Sequence, residues 1–388
     1  MDQVGTRQHT LVITNDFPPR PGGIQTFVYE LVRRFEPSTV TVLTSSWEGA
    51  AEFDAEQPFE VIRMKTSVLL PTRSLRKRAR EIVVSKKVDS VVYGAAAPLA
   101  LMASEMRALG VQHQVGITHG HEAGWAITPV TRQLLAKIGR SVDTLTYLGS
   151  YTKNKIGAVL DLSAAKAMRQ LTPGVDCAQF HPNNRVHGDV LRESIGFTGR
   201  PTIVCVSRLM ERKGQDTLLK AMPRVLDALP DAALIIVGSG GFEPSLQKIV
   251  AAHGLELAVH FTGKVPFAEL AHWYAAGDVF AMPCRTRNGG WDVEGLGIVF
   301  LEASATGLAV IAGDSGGAPD AVLDGQTGVV VDGTDVSLVA NELVRLLSDR
   351  ELAQQMGAAG RAWVEDRWTW ERSFKRLELL LVGLDPDV

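Results

Sequence analysis

Short runs of β-branched and apolar residues alternate with longer stretches of helical period along the whole chain. In the first half the runs predict strands at 10–14, 40–44, 61–64, 90–93, 115–118 and 144–148. In the second half they predict strands at 202–206, 233–237, 259–262, 279–282, 310–312 and 329–331. Many are continuous apolar runs, the pattern of parallel strands covered by helices on both faces. Strand–helix alternation of this kind predicts α/β architecture.

The series restarts in the middle. Between 171 and 201 the apolar period fades, and Thr172-Pro173-Gly174-Val175-Asp176 and His181-Pro182-Asn183-Asn184 punctuate the chain. This predicts two doubly wound domains, 1–174 and 175–367, with ligands beyond the carboxyl ends of their strands and a cleft between those ends. Residues 363–384 read as helical and carry Trp363, Trp368 and Trp370. This segment has no sheet of its own to cover, and about 368–388 is expected to cross back to the first domain.

Composition narrows the classes. At 388 residues the chain exceeds what one core usually serves. A net charge of -3 argues against general nucleic-acid binding, which needs a basic surface. Cys177, Cys205 and Cys284 are far apart, form no CxxC pair, and are expected to be structural thiols in a reducing compartment. The polar N-terminus, with His9 ahead of the first apolar run, does not read as a signal peptide. The longest apolar stretch, 93–102, falls short of the roughly 20 residues that span a bilayer. A cytoplasmic protein is expected, lying on a membrane at most.

Candidate chemistry follows particular strands. After the first come Asn15-Asp16-Phe17-Pro18-Pro19 and Gly22-Gly23, ahead of a helix expected over 24–35. Glycines admit a ligand to the backbone and a helix N-terminus favours negative charge, so the loop either closes on a phosphate or sugar or is a plain tight turn. After the first strand of the second half come Ser207-Arg208-Leu209 and Lys213-Gly214. An arginine fork and a lysine point charge suit a diphosphate, although such cations are usually solvated. Glu294-Gly295-Leu296-Gly297-Ile298, with Glu302 after them, opens a helix at about 298–305. Bare N–H groups suit an anion and carboxylates accept from vicinal hydroxyls; acids compensating a helix dipole are the other reading.

Thr118-His119-Gly120-His121-Glu122 carries a His-x-His-Glu pattern. Its spacing is not that of a zinc site, so a substrate-binding or structural histidine is expected in place of a metal ligand. Arg73, Arg76, Lys77, Arg78 and Arg80, followed by Lys86 and Lys87, form a basic helix with charges on more than one face. It suits an anionic lipid surface or is simply solvated.

In combination, Glu294-x7-Glu302, Arg208 with Lys213, and the Gly22-Gly23 loop make the whole chain resemble the retaining glycosyltransferases of the GT-B fold, family four. It is similar, more closely still, to actinobacterial phosphatidylinositol mannosyltransferases. The residues that carry this are Thr14-Asn15-Asp16-Phe17-Pro18-Pro19, Thr118-His119-Gly120-His121-Glu122, and Arg285-Thr286-Arg287 leading to Asp292-Val293-Glu294-Gly295-Leu296-Gly297.

The resemblance implies two Rossmann-like domains facing a central cleft, and transfer of α-mannose from GDP-mannose to phosphatidylinositol monomannoside in α-1,6 linkage. It implies that Arg208 and Lys213 bind the donor diphosphate, that Glu294 holds mannose hydroxyls, and that Glu302 takes the ribose. The N–H groups of Gly297 and Ile298 would touch sugar or phosphate; Gly263, Lys264 and Val265 would line the guanine pocket. His119 would sit near the transferred sugar and Gly23 would close over donor and acceptor. Asp16 falls on the acceptor side, and Arg73, Arg76, Lys77, Arg78 and Arg80 where such enzymes meet the inner face of the cell membrane.

Retention would proceed without an evident enzymatic nucleophile, the acceptor attacking on the face that GDP leaves, with fixed positive charge from Arg208 and Lys213. No Asp-x-Asp motif stands in a suitable loop, so no metal or cofactor is expected; GDP-mannose enters as a substrate. The expected partners are a nucleotide sugar, a phosphoinositide-type lipid acceptor and an anionic membrane surface. Ala309, where the family usually has proline, and Asp320, where glutamate is common, depart from the pattern. Rival readings are a related transferase with another donor or acceptor, a non-catalytic sugar-nucleotide sensor, and an NAD-dependent oxidoreductase. The last lacks a Gly-x-Gly-x-x-Gly after the first strand of either half.

Overall fold

The computed structural model describes residues 8–120 and 122–387. The chain forms two compact units, Met1–Gly174 with Trp370–Val388, and Val175–Thr369. The first contains a seven-stranded sheet in the order β3-β2-β1-β4-β5-β6-β7. Its strands are β1 His9–Thr14, β2 Val40–Ser45, β3 Glu60–Met64, β4 Val88–Tyr93, β5 His113–Gly116, β6 Thr144–Tyr147 and β7 Arg169–Gln170. The second contains a six-stranded sheet in the order β10-β9-β8-β11-β12-β13. Its strands are β8 Thr202–Val206, β9 Ala233–Val237, β10 Val259–Gly263, β11 Val279–Met282, β12 Ala309–Gly313 and β13 Gly328–Val331.

The strand pairings within each sheet are parallel. Parallel strands need crossovers, which put helices on both faces and bury both sides of the strand. Leu11, Ile13 and Val91 in the first unit, and Ile203, Val204, Ile235 and Phe280 in the second, are accordingly buried. Each such side chain contributes about 1.5–3 kcal/mol relative to leaving it in water. Strand order reverses between β1 and β4 and again between β8 and β11. In doubly wound sheets the crevice for a ligand opens at such reversals, beyond the carboxyl ends.

The segment 363–384, expected to be helical, contains the end of one helix and most of another. Arg350–Arg367 stays in the second unit and Trp370–Leu381 belongs to the first. The break has a tertiary cause: Val175 N–H donates to the Trp368 carbonyl at 2.7 Å and Val175 bridges Thr369. The return to the first unit thus falls at Trp370, where the ring lies 6.0 Å from that of Phe27. Among the described residues no helix is long and apolar enough to cross a membrane.

Candidate functional site

In the second unit the chemistry collects around the β8–β11 reversal. The chain leaves β8 through Ser207 and Arg208 and makes a 3-10 turn at Glu211–Lys213 before the helix Gln215–Ala228. Gly214 between them adopts φ 75°, and a Cβ there would lie 1.9 Å from the Pro283 carbonyl oxygen. That close approach to the end of β11 aims the turn at the loop carrying Glu294.

Glu294 is buried, and its Oε2 accepts from Lys213 Nζ at 2.6 Å and from Arg212 Nη1 at 2.5 Å. Its backbone is fixed as well: its N–H donates to Ser315 Oγ at 3.2 Å and its carbonyl accepts from Gly317 N at 2.8 Å. Burial by itself pushes the Glu294 carboxyl up, but Lys213 and Arg212 outweigh it and hold the group below the ordinary carboxylate range. Oε1 has no hydrogen-bond partner among the described residues. The result is an ionised carboxylate with one oxygen left for a ligand.

Glu302 is differently placed. It sits in the second turn of the helix Ile298–Ala305, which has no acid in its first turn. Dipole compensation, which fades beyond the first turn, does not explain it. Its Oε2 accepts from Tyr274 Oη at 2.6 Å. Burial pushes its carboxyl up to about 7, against the opposing pull of the tyrosine hydrogen bond. Below about pH 7 the folded protein therefore keeps a proton that the unfolded chain releases near 4.5. Stability from this group is full below 4.5 and lost as pH rises through 7, about 3 kcal/mol in all. Urea unfolding at pH 5 and pH 8 should show this loss in the wild type, and Glu302→Gln should remove it.

The remaining donor-side candidates separate. Gly297 caps the helix at φ 80°, and a Cβ there would meet the Phe300 ring at 2.5 Å. That Cβ would also lie 3.5 Å from Glu294 Cγ, so the start of this helix, whose first N–H groups have no partner within the helix, adjoins Glu294. Arg208 does not join the Glu294 cluster: it is exposed, and its side chain makes no ion pair among the described residues. Gly263 closes the end of β10, where its carbonyl accepts from Gly238 N at 3.0 Å; Lys264 and Val265 follow.

In the first unit the loop after β1 leads into the helix Gly23–Val32. Asp16 accepts from the buried Gln25 at 2.7 Å, which ties the loop to that helix. Gly23 has open space where a Cβ would stand. His119 Nε2 donates to the Gly94 carbonyl at 2.5 Å, its N–H donates to buried Glu122 at 2.9 Å, and its ring meets Phe27 edge-on. These contacts join the ends of β4 and β5. His121 lies outside the described residues. Among the described residues no group of three or more His, Cys, Asp or Glu side chains is gathered for a metal.

The basic helix runs Arg73–Lys86, capped by Thr72 and buried through Leu75, Ala79, Ile82 and Val83. Its charges are not equivalent. Arg76 is half-buried and bonded to Glu105 at 2.7 Å, and Arg78 pairs with Glu81 at 3.1 Å. Arg73, Lys77 and Arg80 are exposed and line a shallow groove with Arg76 and Val84.

Three residues at the site have no counterpart in the sequence reading: Arg212 and Tyr274, which contact the two glutamates directly, and Ser315, which orients Glu294. Asp292, which the sequence motif does contain, holds Arg212 at 3.1 Å. Arg212 had a local signal, its place beside Lys213. Tyr274 had none, because its partner is 28 residues away.

Residues 189–363 match the family model described as glycosyl transferases group 1. The chain is 45% identical to the GDP-mannose-dependent alpha-(1-6)-phosphatidylinositol monomannoside mannosyltransferase of Mycolicibacterium smegmatis, over 96% of this chain and 98% of the relative. It is 45% identical to the GDP-mannose-dependent monoacylated alpha-(1-6)-phosphatidylinositol monomannoside mannosyltransferase of Corynebacterium glutamicum, over 96% and 97%. The fold is shared with Anabaena HepE in complex with UDP, at a TM-score of 0.82, 16% identity, and 97% and 100% coverage.

Proposed function

From a chain that belongs to the group 1 glycosyltransferases, in the family of the phosphatidylinositol monomannoside mannosyltransferases, we propose a GDP-mannose-dependent enzyme that adds an α-1,6-mannose to phosphatidylinositol monomannoside. The observation that supports it most is the buried Glu294 carboxylate, ionised by Lys213 and Arg212 and left with one open oxygen. Sugar hydroxyls donate to that oxygen. Lys213 and the exposed Arg208 hold the diphosphate and stabilise GDP as it leaves. The N–H groups of Gly297 and Ile298 add donors at the helix start.

Glu302 accepts from the ribose hydroxyls, and Gly263, Lys264 and Val265 line the base pocket. His119 and Gly23 are the first-unit residues assigned to donor and acceptor, with Asp16 on the acceptor side. This chemistry draws its positive charge from side chains and requires no metal. Titration with GDP, UDP and ADP tests the donor: GDP should bind most tightly and Lys213→Ala should weaken it. Equal affinity for all three, or no loss in the variant, would overturn the assignment.

The lipid acceptor calls for contact with a membrane surface, and Arg73, Lys77 and Arg80 are the cations available for it. Val68 and Leu70 in the preceding loop and Val84 on the helix are 52%, 52% and 66% exposed, giving the same region an apolar component. Each cation near an anionic surface contributes about 1 kcal/mol. Replacing all three by alanine should therefore weaken binding to anionic vesicles by about 10²-fold in sedimentation, with GDP affinity unchanged. Retained vesicle binding would remove this helix from the interface.

A further inference from the structure

Lys213 has two assignments that compete. Its Nζ is held by Glu294 at 2.6 Å, yet the proposed donor site gives it to the diphosphate. If Lys213 were the only partner, its departure toward a ligand that is itself negative would leave a buried carboxylate uncompensated. Such a group takes up a proton, and the proton would occupy an oxygen that should accept from a sugar hydroxyl.

Arg212 removes the conflict. Its Nη1 reaches the same Oε2 at 2.5 Å, and its Nε lies 3.1 Å from Asp292. Its carbonyl accepts from Arg285 N at 2.8 Å, and its side chain is only 13% exposed. The guanidinium is thus fixed by two carboxylates and an anchored backbone. Lys213, by contrast, is a point charge on a flexible stem whose ammonium bonds one side chain, Glu294, among the described residues. We propose that Arg212 is a positioning residue that keeps Glu294 ionised and aimed while Lys213 passes from Glu294 to the donor diphosphate. This rests on the donor-site reading of Lys213 and Glu294 given above.

Among the described residues, the charged and titratable groups that act on Glu294 are Arg212 and Lys213 from the turn and the Cys284 thiol beyond β11, while Asp292 from its own loop holds Arg212. The thiol stays neutral, because burial and then the Glu294 charge push it up to about 12. In Arg212→Gln, Asp292 loses its ion pair with residue 212, and among the described residues Lys213 is the one cation still paired with Glu294. Glu294 then takes up a proton at higher pH once the donor has drawn Lys213 away.

The test is GDP calorimetry at pH 7 in buffers of different ionisation enthalpy, with pH profiles of kcat, on wild type, Arg212→Gln and Arg212→Lys. Arg212→Gln should take up more protons on binding GDP than the wild type, by up to about one. Its kcat should fall by roughly 10²-fold, more than its GDP affinity, and the acid limb should move to higher pH. Arg212→Lys keeps the charge and should return the acid limb toward wild type. An Arg212→Gln enzyme with wild-type proton uptake and an unmoved acid limb would overturn the proposal. If GDP affinity then fell in step with kcat, Arg212 would be a direct diphosphate ligand. Failure of the underlying donor reading looks different: Lys213→Ala would keep wild-type GDP affinity and turnover.

Discussion

Glu294→Ala should lower kcat by roughly 10³-fold and destabilise the protein by about 3 kcal/mol. Both losses come from one change. The carboxylate is buried between Arg212 and Lys213, so its removal leaves two neighbouring cations without their shared partner. Removing one side of a buried pair costs more than the pair contributes, because the remaining charges are still out of water. The catalytic loss follows from the open oxygen that accepts from the transferred sugar. Glu294→Gln separates the effects: it retains a hydrogen-bond acceptor and the volume of the side chain, but not the charge. It should be more stable than the alanine variant and still slow. Urea unfolding beside steady-state transfer would show this, and an alanine variant with normal turnover would remove Glu294 from the site.

The second large effect is expected at Gly214, a backbone position between the Glu211–Lys213 turn and the following helix. Its φ of 75° costs a residue with a Cβ roughly 1–2 kcal/mol. The added carbon would also stand 1.9 Å from the Pro283 carbonyl oxygen, so either the turn or the end of β11 must move. Both segments lead to the site, the turn through Arg212 and Lys213 and the strand through the loop to Glu294. A shift of about 1 Å in such groups can cost on the order of 10²-fold in rate, and Gly214→Ala should do so in kcat/KM. Gly254→Ala is the control: its φ is 62°, with nothing within 4 Å of the added Cβ. It should show the backbone strain, as a modest loss in denaturant midpoint, and normal kcat/KM.

These residues also mark how far the sequence could be read. The strands 202–206, 233–237 and 279–282 are apolar runs ended by Ser207, Gly238 and Pro283, and the structure places β8, β9 and β11 on those spans. Local composition suffices there because a strand buried on both faces admits little else. The break at 368–369 inside the helical segment 363–384 had no local signal, because Val175, nearly 200 positions away, bonds the backbone there. The two-residue strand β7 has too short a pattern to register.

The site was legible to the same limit. Glu294, Lys213 and Gly297 belong to compact motifs, and the fold gathers them. The sequence reading set Arg208 beside Lys213 as a pair of cations. In the structure it is Arg212 that shares Glu294 with Lys213, while Arg208 remains exposed. Which of two nearby arginines faces inward depends on the turn at Glu211–Lys213 and on Asp292, some 80 residues later. The basic helix repeats the lesson, since Glu105 takes Arg76 out of a row that looks uniform in sequence.

The most direct test of the central claim is to incubate the purified protein with GDP-mannose and phosphatidylinositol monomannoside, then determine product mass and linkage. A single added hexose in α-1,6 linkage, absent with Glu294→Ala, is the predicted result. No transfer from GDP-mannose in the presence of that lipid, or a β-linked product, would contradict the account.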